Sequence, residues 1–389
     1  MAHEFLDAEL KRLESEGMLR RTHAWPQAGG RLVFEDGWTL LNFSSNDYLD
    51  LAQNPLVKRR AVEALERWGC SASASRLMCG TLELHEELEA ALARLTGCET
   101  SLVFSSGFGM NVGLVSALAG RDDVIFADRL SHASLLDGAR LSGAVLKRYS
   151  HNDVDHLAHL LERTPCAGQR VVVCESVFSM DGDRAPLDAI RRLADAFEAV
   201  LLVDEAHAIG VWGQGGGLCR QLGAGARPEL LVGTLGKALG SQGGFVACSS
   251  AWREYLVNRA RSFIYSTALA PACVGAALGA VEAIERDPGM GERLLARART
   301  FHGQLREQGL NLPEFGSQII PILVGENKRA VELASRLGRA GLLVTAIRPP
   351  TVPVGTARLR LSVTLAHDEE HLAWAAEQIG RVAREVGAA

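Results

Sequence analysis

Several signals of specialised protein classes are missing from this sequence. No two of its eight cysteines are spaced C-x-x-C, so zinc knuckles and redox dithiols lack support. The longest apolar run, residues 268–281, contains Pro271 and is shorter than the ~20 residues that a membrane span needs. Residues 1–17 alternate acidic and basic side chains without an apolar core, so no signal peptide is predicted. We therefore expect a cytoplasmic protein with reduced cysteines, no metal site and no membrane partner.

The sequence also lacks an excess of positive charge. Its 389 residues carry a net charge of −5, whereas a protein that binds nucleic acid needs a dense basic face. Only five of the 41 basic residues are lysines, so few amines compete for a chemical role. The 47% hydrophobic residues suffice for a globular core, which excludes a mainly disordered chain. We expect a soluble globular protein without a nucleic-acid partner.

The order of predicted elements indicates an α/β protein. Strands and helices alternate from about residue 55, and the predicted strands 171–176 and 200–204 contain the continuous apolar runs 171–173 and 200–203. Such runs are typical of strands buried on both faces of a mostly parallel sheet that is flanked by helices. From about residue 290 the pattern restarts as a smaller α+β domain. We predict an N-terminal helix and hairpin segment (1–50), a large domain (51–288) and a small C-terminal domain (289–389).

Four finer predictions concern the two ends of the chain. A helix is predicted over residues 4–19, and a hairpin is predicted from residues 31–34 and 38–43 around Asp36-Gly37. Residues 342–347 are predicted to form a single strand. His367 and His371 lie four residues apart and are predicted to be solvated, because no carboxylate–histidine motif surrounds them.

An acidic residue ends one of the apolar strands. Asp204 follows Val203 directly, and ligands of such sheets bind beyond the carboxyl ends of the strands. A buried carboxylate needs a cationic or hydrogen-bonding partner, so Asp204 is a candidate ligand-binding residue. A structural carboxylate that caps the next turn would give the same pattern. The Asp-Glu-Ala-His string resembles an ATPase motif, but no G-x-x-x-x-G-K-[ST] loop accompanies it, which excludes an ATPase.

A lysine occupies the loop after the next predicted strand. Lys237 is flanked by glycines and apolar residues in the segment 230–240. Desolvation in such a loop lowers the pKa of an amine and frees it to form a Schiff base. A lysine on a surface turn is the alternative.

The third candidate is a strand that leads through two serines into a helix at Gly107 and Phe108. The N–H groups at the start of a helix bind anions, and glycine allows the backbone to approach a phosphate. Ordinary strand-to-helix turns look similar, so this signal is weak alone. An amine, a carboxylate and a phosphate cradle are together what pyridoxal phosphate requires, and the combination predicts an enzyme that uses this cofactor.

Longer stretches resemble the α-oxoamine synthase family over nearly the whole chain. They are residues 42–49 (NFSSNDYL), 128–134 (DRLSHAS), 175–183 (ESVFSMDGD), 234–237 (TLGK), 264–267 (IYST) and 347–353 (IRPPTVP). The likeness is greatest to the members of that family that act in biotin biosynthesis. The resemblance implies a fold-type-I pyridoxal phosphate enzyme.

The resemblance also implies roles for individual residues. Lys237 would carry the cofactor, Asp204 would face its ring nitrogen and His132 would stack on its ring, and these three form the implied catalytic set. His207 and Ser179 would contact the phenolic oxygen or neighbouring groups. The phosphate would be held by Gly107, Phe108 and Thr234, with Ser266 and Thr267 reaching it from a second subunit. The implied substrate residues are Arg20, Asn46, His132, Thr351 and Arg360.

Two of these assignments leave alternatives open. Arg21 stands beside Arg20 and matches the family pattern equally well. Arg360 alternates with Leu359 and Leu361 along a predicted strand, so it faces solvent if the leucines pack inward.

The implied reaction joins L-alanine to a pimeloyl thioester, on coenzyme A or acyl carrier protein. It yields 8-amino-7-oxononanoate, CO2 and the free thiol carrier, and the acyltransferase would be a homodimer with shared active sites. The alternative is a relative that uses glycine, of the 5-aminolevulinate synthase or 2-amino-3-oxobutyrate CoA ligase type.

Overall fold

The structure is a computed structural model that describes residues 2–26, 29–33 and 37–387. The chain forms two compact units. The larger unit consists of Leu49–Ser179 and Arg184–Glu292. The smaller unit combines both ends of the chain with a short central segment, Met1–Tyr48, Met180–Asp183 and Arg293–Ala389.

Helices and strands follow one another along the described chain. The helices are α1 (Ala2–Ser15), α2 (Pro55–Trp68), α3 (Glu83–Thr96), α4 (Gly107–Leu118), α5 (Ala133–Ser142), α6 (Val154–Arg163), α7 (Leu187–Ala196), α8 (Leu218–Leu222), α9 (Ser250–Arg259), α10 (Arg261–Ile264), α11 (Pro271–Arg286), α12 (Met290–Glu307), α13 (Asn327–Arg339) and α14 (Glu369–Glu385). The strands are β1 (Arg31–Val33), β2 (Thr39–Asn42), β3 (Thr100–Phe104), β4 (Val124–Asp128), β5 (Val145–Tyr149), β6 (Arg170–Glu175), β7 (Val200–Asp204), β8 (Leu230–Thr234), β9 (Gly244–Cys248), β10 (Ile319–Gly325), β11 (Leu342–Leu343), β12 (Thr345–Ile347) and β13 (Ala357–Ser362).

A seven-stranded sheet in the order β3-β9-β8-β7-β6-β4-β5 forms the centre of the larger unit. Strands β5, β4, β6, β7 and β8 are parallel, and β9 pairs antiparallel with both β3 and β8. Apart from the half-buried Val200, the apolar runs of β6 and β7 are buried, as expected for strands covered on both faces. The predicted α/β class with a mostly parallel sheet is confirmed.

This sheet sets the positions of several acidic residues. Asp128, Glu175 and Asp204 end the parallel strands β4, β6 and β7, and all three are buried. Glu175 and Asp204 are register partners on adjacent parallel strands, so their side chains project from the same face at the carboxyl edge of the sheet. Burial of several carboxyl groups at one edge has an electrostatic cost, which points to a functional site.

The smaller unit contains two three-stranded sheets, β10-β13-β12 and β1-β2-β11. The prediction of one strand over residues 342–347 is wrong, because β11 pairs parallel with β2 whereas β12 pairs antiparallel with β13. Strands β1 and β2 form the predicted antiparallel hairpin, although the predicted residues Phe34 and Asp36 lie outside the described residues. The first helix ends at Ser15 rather than at residue 19, two residues before Gly17 at a φ of 65°.

The prediction of a solvated His367 is also wrong. His367 is fully buried, its ring stacks on Phe43 at 4.4 Å, and its Nδ1 accepts a hydrogen bond from the backbone N–H of Thr364 at 3.2 Å. Burial lowers the pKa of His367 to about 4. The histidine is therefore a neutral core residue of the smaller unit. The four-residue spacing of His367 and His371 in the sequence gave no sign of its burial.

Within the described residues, no helix is both long enough and apolar enough to cross a membrane.

Candidate active site

Lys237 lies in a turn that follows β8 and directs its amine to a histidine. The Nζ atom of Lys237 is 2.9 Å from Nε2 of His207. Lys237 is half-buried and His207 is buried, on the loop that follows the neighbouring strand β7. The turn is closed by hydrogen bonds from the backbone N–H of Leu235 to Gly243 O at 3.0 Å and of Gly240 to Lys237 O at 2.9 Å. The structure thus contains the partly desolvated amine that the sequence predicted.

Asp204 is held at the end of β7 by two donors. Its Oδ2 accepts a hydrogen bond from Asn111 Nδ2 at 2.8 Å, and its Oδ1 accepts one from the backbone N–H of Ala206 at 2.9 Å. Asp204 forms no ion pair within the described residues. A buried carboxylate without a counter-ion is suited to a ligand that brings a positive charge.

His132 caps the first turn of α5. Its backbone N–H donates to Glu175 Oε1 at 2.7 Å, and its Nδ1 lies 2.7 Å from Ser134 Oγ. Its ring meets that of Phe108 edge to face, with centroids 6.3 Å apart. Although the side chain is exposed, desolvation by neighbouring groups lowers the pKa of His132, an effect that the Asp204 charge opposes and the Lys237 charge reinforces. His132, Asp204 and Lys237 therefore interact electrostatically in one site.

Glu175 is an acidic residue of the same site. Burial and the neighbouring Asp204 charge raise the pKa of Glu175 to about 8, while Lys237 and two backbone donors, the N–H groups of His132 and Ser179, oppose this shift. The carboxyl group thus connects the loop of His132 to that of Ser179. Its high pKa follows from two carboxylates at one sheet edge that cannot both ionise easily.

The start of α4 forms a glycine-lined cradle. Ser106 Oγ caps the helix by accepting from the backbone N–H of Gly109 at 3.0 Å. A Cβ added at Gly107 would lie 3.4 Å from Thr234 Oγ1, and one at Gly244 would lie 2.7 Å from the Gly107 Cα. The end of β8 therefore packs against the first turn of α4, which brings Thr234 close to Gly107, and their binding of phosphate stays a prediction. The first N–H groups of a helix have no acceptor within the helix and are free to bind an anion.

Ser266 and Thr267 follow α10. The backbone oxygen of Thr267 accepts a hydrogen bond from Ser105 Oγ at 2.6 Å in the same chain. Their predicted contact with phosphate from a second subunit stays a prediction.

In the smaller unit, Arg360 on β13 is buried and does not face solvent. Its Nη1 donates to Asn46 Oδ1 at 3.1 Å and to Ser362 Oγ at 2.6 Å, and its Nη2 donates to Tyr48 Oη at 3.2 Å. Leu359 and Leu361 are buried as well, so both faces of this strand are covered. Asn46 and Arg360, which the resemblance proposed as substrate residues, are thus direct neighbours.

The two neighbouring arginines of the same unit have different contacts. Arg20 Nη2 lies 3.3 Å from Pro349 O and 3.5 Å from Thr351 Oγ1, whereas Arg21 is paired with Glu14 at 3.4 Å. Arg20 and Thr351 therefore lie together, and their contact with substrate stays a prediction.

Several residues that contact the predicted ones within each unit were assigned no role from the sequence. They are Asn111, Ser134 and Glu175 in the larger unit and Tyr48 and Ser362 in the smaller one. Glu175 and Tyr48 fall inside stretches that resemble the family, which is a signal that could have marked them. Ser134 also falls inside such a stretch, residues 128–134, whereas Asn111 is a polar residue in an otherwise ordinary helical segment that only the tertiary structure brings to Asp204.

Pyridoxal phosphate makes four demands that these residues can be tested against: an amine, a negative charge for its ring nitrogen, a surface for its ring and donors for its phosphate. Lys237 supplies a half-buried amine and Asp204 a buried carboxylate without a counter-ion. His132 supplies a ring, and the first turn of α4 supplies a cradle that a Cβ at Gly107 would narrow against Thr234. The residues fit the cofactor.

Comparison with known proteins decides the family. The family model of the class I and II aminotransferases matches residues 39–379. An 8-amino-7-oxononanoate synthase from Geobacter sulfurreducens is 45% identical over 382 residues, covering 97% of this chain and 98% of the relative. The chain belongs to the 8-amino-7-oxononanoate synthase family, within the class I and II aminotransferases. It is therefore an enzyme, a pyridoxal-phosphate-dependent acyltransferase.

Solved structures agree with this assignment. A serine palmitoyltransferase from S. paucimobilis with bound PLP and myriocin superposes with a TM-score of 0.92 at 31% identity, covering 98% of this chain and 97% of that one. An 8-amino-7-oxononanoate synthase from Francisella tularensis superposes with a TM-score of 0.76 at 29% identity, covering 89% and 98% of the two chains. The fold is that of the fold-type-I pyridoxal phosphate enzymes, and pyridoxal phosphate is the cofactor, as predicted.

Proposed function

We propose that this enzyme joins L-alanine to a pimeloyl thioester with release of CO2 and the thiol carrier, forming 8-amino-7-oxononanoate for biotin biosynthesis. One observation carries the proposal: the amine of Lys237 lies 2.9 Å from His207 and interacts electrostatically with His132, beside the buried Asp204. The names of the relatives support the choice of reaction.

The cofactor would be held by residues of the larger unit. Lys237 would carry it, with His207 and Ser179 beside its phenolic oxygen and His132 on the face of its ring. Gly107, Phe108 and Thr234 would bind its phosphate, with Ser266 and Thr267 of a second copy completing the cradle. When bound, pyridoxal phosphate supplies an aldehyde that condenses with amines and a ring that accepts the electron pair released at the neighbouring carbon.

The chain's own residues move and hold the protons. Lys237 would act as the base, because its Nζ can take the α-proton of alanine when the amine is free. Asp204 would face the ring nitrogen of the cofactor, where a buried negative charge would stabilise a positive one. His207 would hold the amine of Lys237 in place, since its Nε2 lies 2.9 Å from Nζ.

Residues of the smaller unit would bind the substrates. Arg360 offers a guanidinium whose orientation is fixed by Asn46, Tyr48 and Ser362, as a carboxylate-binding arginine requires. We assign it the carboxylate of alanine, with Asn46 beside it and His132 as a further substrate contact. Arg20 and Thr351 would bind the acyl substrate.

The proposal extends to partners and location. We infer a cytoplasmic homodimer that shares its active sites, and an acyl donor carried on coenzyme A or on acyl carrier protein. The glycine-using relatives remain the competing reaction and enter the test as one of its arms.

The mass of the product tests the reaction directly. The purified holoenzyme is given pimeloyl-CoA, or pimeloyl-acyl carrier protein, with either alanine or glycine, and thiol release and product mass are followed. The mass of 8-amino-7-oxononanoate from alanine alone is expected. Efficient turnover of glycine with a shorter acyl thioester, and none of alanine, would replace the proposal with the competing one. Lys237→Ala should abolish turnover, and Lys58→Ala, at an exposed lysine of α2, should leave it unchanged.

A further inference from the structure

A chain of hydrogen bonds joins Asp204 to His132 through two residues that have no role so far. Asn111 Nδ2 donates to Asp204 Oδ2 at 2.8 Å and to Ser134 Oγ at 3.0 Å. Ser134 Oγ in turn lies 2.7 Å from His132 Nδ1. Asn111 and Ser134 are both buried, so water does not compete for these contacts.

The donors of this chain fix its direction. The amide nitrogen of Asn111 can only donate, so Ser134 Oγ is the acceptor of that bond. The single hydroxyl proton of Ser134 is then available to His132 Nδ1. The backbone N–H of Ser134 also points to Nδ1, at 3.3 Å. With two donors directed at it, Nδ1 accepts, and the proton of neutral His132 lies on Nε2.

The stability of the fold does not explain this arrangement. The Oδ1 atom of Asn111 is buried without a hydrogen-bond partner within the described residues. A buried acceptor without a partner is destabilising, and an apolar residue would avoid it. The amide nitrogen of Asn111, which donates to both Asp204 and Ser134, therefore accounts for an asparagine at this position.

We propose that Asn111 and Ser134 are positioning residues that tie Asp204 and His132 into one frame and keep the proton of neutral His132 on Nε2. The proposal rests on the proposed function, because Asp204 and His132 are the residues assigned to the two sides of the cofactor ring. Asn111 would orient the Asp204 carboxylate towards the ring nitrogen, and Ser134 would fix the rotation of the imidazole that stacks on the ring.

Nitrogen NMR of the holoenzyme tests the frame without reference to activity. With ¹⁵N-labelled histidine, and His132 assigned by comparison with a His132→Gln variant, neutral His132 should show a protonated Nε2 and an unprotonated Nδ1. Asn111→Ala should shift the ring signals of His132 although Asn111 does not touch that ring. The matched control is Ser101→Ala, which removes a fully buried hydroxyl that donates to Glu89 O at 2.7 Å elsewhere in this unit. A proton on Nδ1, or His132 signals that are the same in Asn111→Ala as in the unmodified enzyme, would overturn the proposal.

Kinetics supply the second measurement. Asn111→Ala should lower kcat about tenfold or more, as the loss of an outer-shell orienting residue does at other sites, with a smaller change in the KM for the amino acid. Ser134→Ala keeps the bond between Asn111 and Asp204 and serves if Asn111→Ala does not fold. It should likewise lower kcat and shift the His132 signals, and no change in either would contradict the proposal. If the proposed function fails instead, the unmodified enzyme makes no product while the NMR result still stands.

Discussion

The amine of Lys237 is 2.9 Å from Nε2 of His207, and the two residues occupy loops that follow adjacent parallel strands, β8 and β7. The register of the sheet thus places a candidate Schiff-base lysine beside a histidine and one strand away from the buried Asp204. This relationship organises the cofactor side of the proposed site, and most of the predictions below depend on it.

Replacement of His207 should impair turnover more than folding. His207→Asn is too short to hold the lysine amine, so kcat should fall about 100-fold, the usual worth of a group that assists proton transfer. His159→Asn, at an exposed histidine of α6, is the control and should retain full activity. Steady-state kinetics with alanine measure both variants, and equal kcat values for them would remove His207 from the site.

Replacement of Asp204 by asparagine should remove the charge while keeping one of the two hydrogen bonds that the carboxylate accepts. Asp204→Asn presents an amide oxygen that can still accept from Asn111, so the fold should survive. Because the ring nitrogen would lose its negative partner, kcat should fall at least about 100-fold, as for the loss of other fixed charges or dipoles at reacting centres. Asp195→Asn, at an exposed residue of α7, should leave kcat unaltered. A fully active Asp204→Asn enzyme is incompatible with the proposed role.

Replacement of Arg360 should raise the KM for the amino acid more than it lowers kcat. Arg360→Gln would lose a charged hydrogen bond to a carboxylate, which is worth about 1.5–3 kcal/mol or roughly 10- to 100-fold in KM for the amino acid. The KM for the acyl thioester should change little. The control Arg339→Gln alters an exposed arginine of α13. If the acyl KM rises instead of the amino-acid KM, the arginine binds the other substrate.

Glu175 predicts how stability depends on pH. Its pKa is raised to about 8 in the folded protein from an ordinary value of 4.5, so between these values the folded state binds more protons than the unfolded state. The free energy of unfolding should therefore decrease as the pH rises from 4.5 to 8. The stabilisation linked to protonated Glu175 is fully present only below pH 4.5.

Glu175→Gln tests that pH dependence, because its amide stays neutral and its oxygen still accepts from the N–H of His132. The melting temperature of the variant minus that of the unmodified holoenzyme should increase as the pH rises from 5 to 8. Glu66→Gln, at an exposed residue of α2, should show a constant difference. A constant difference for Glu175→Gln as well would show that Glu175 is ionised throughout.

The sequence predicted best those elements whose pattern is local. Strand β7 (Val200–Asp204) has the predicted bounds, because an apolar run marks its length and Asp204 its end. Strand β9 (Gly244–Cys248) was missed. It pairs antiparallel between β3 and β8, and its short run directly after the lysine loop reads as part of that loop.

The errors arose where tertiary contacts override the local pattern. Residues 342–347 read as one strand, yet they divide between two sheets. No neighbouring residue in the sequence marks His367 as buried. Its burial depends on Phe43 and Gly30, which lie more than 300 residues earlier in the chain.

The candidate site follows the same division. Lys237 and Asp204 stand in motifs whose chemistry can be inferred from neighbouring residues. Asn111 and Ser134 acquire their positions only when α4 and α5 pack, and no spacing in the sequence connects them to Asp204.

Chemical trapping tests the central claim, that Lys237 carries the cofactor. The holoenzyme is reduced with borohydride, digested and mapped by mass spectrometry, which locates a pyridoxyl group on the residue that bound it. The label is expected on Lys237 in the peptide that contains residues 234–240, and on no other of the five lysines. A label on another lysine, or none after reduction of an active enzyme, would contradict the account.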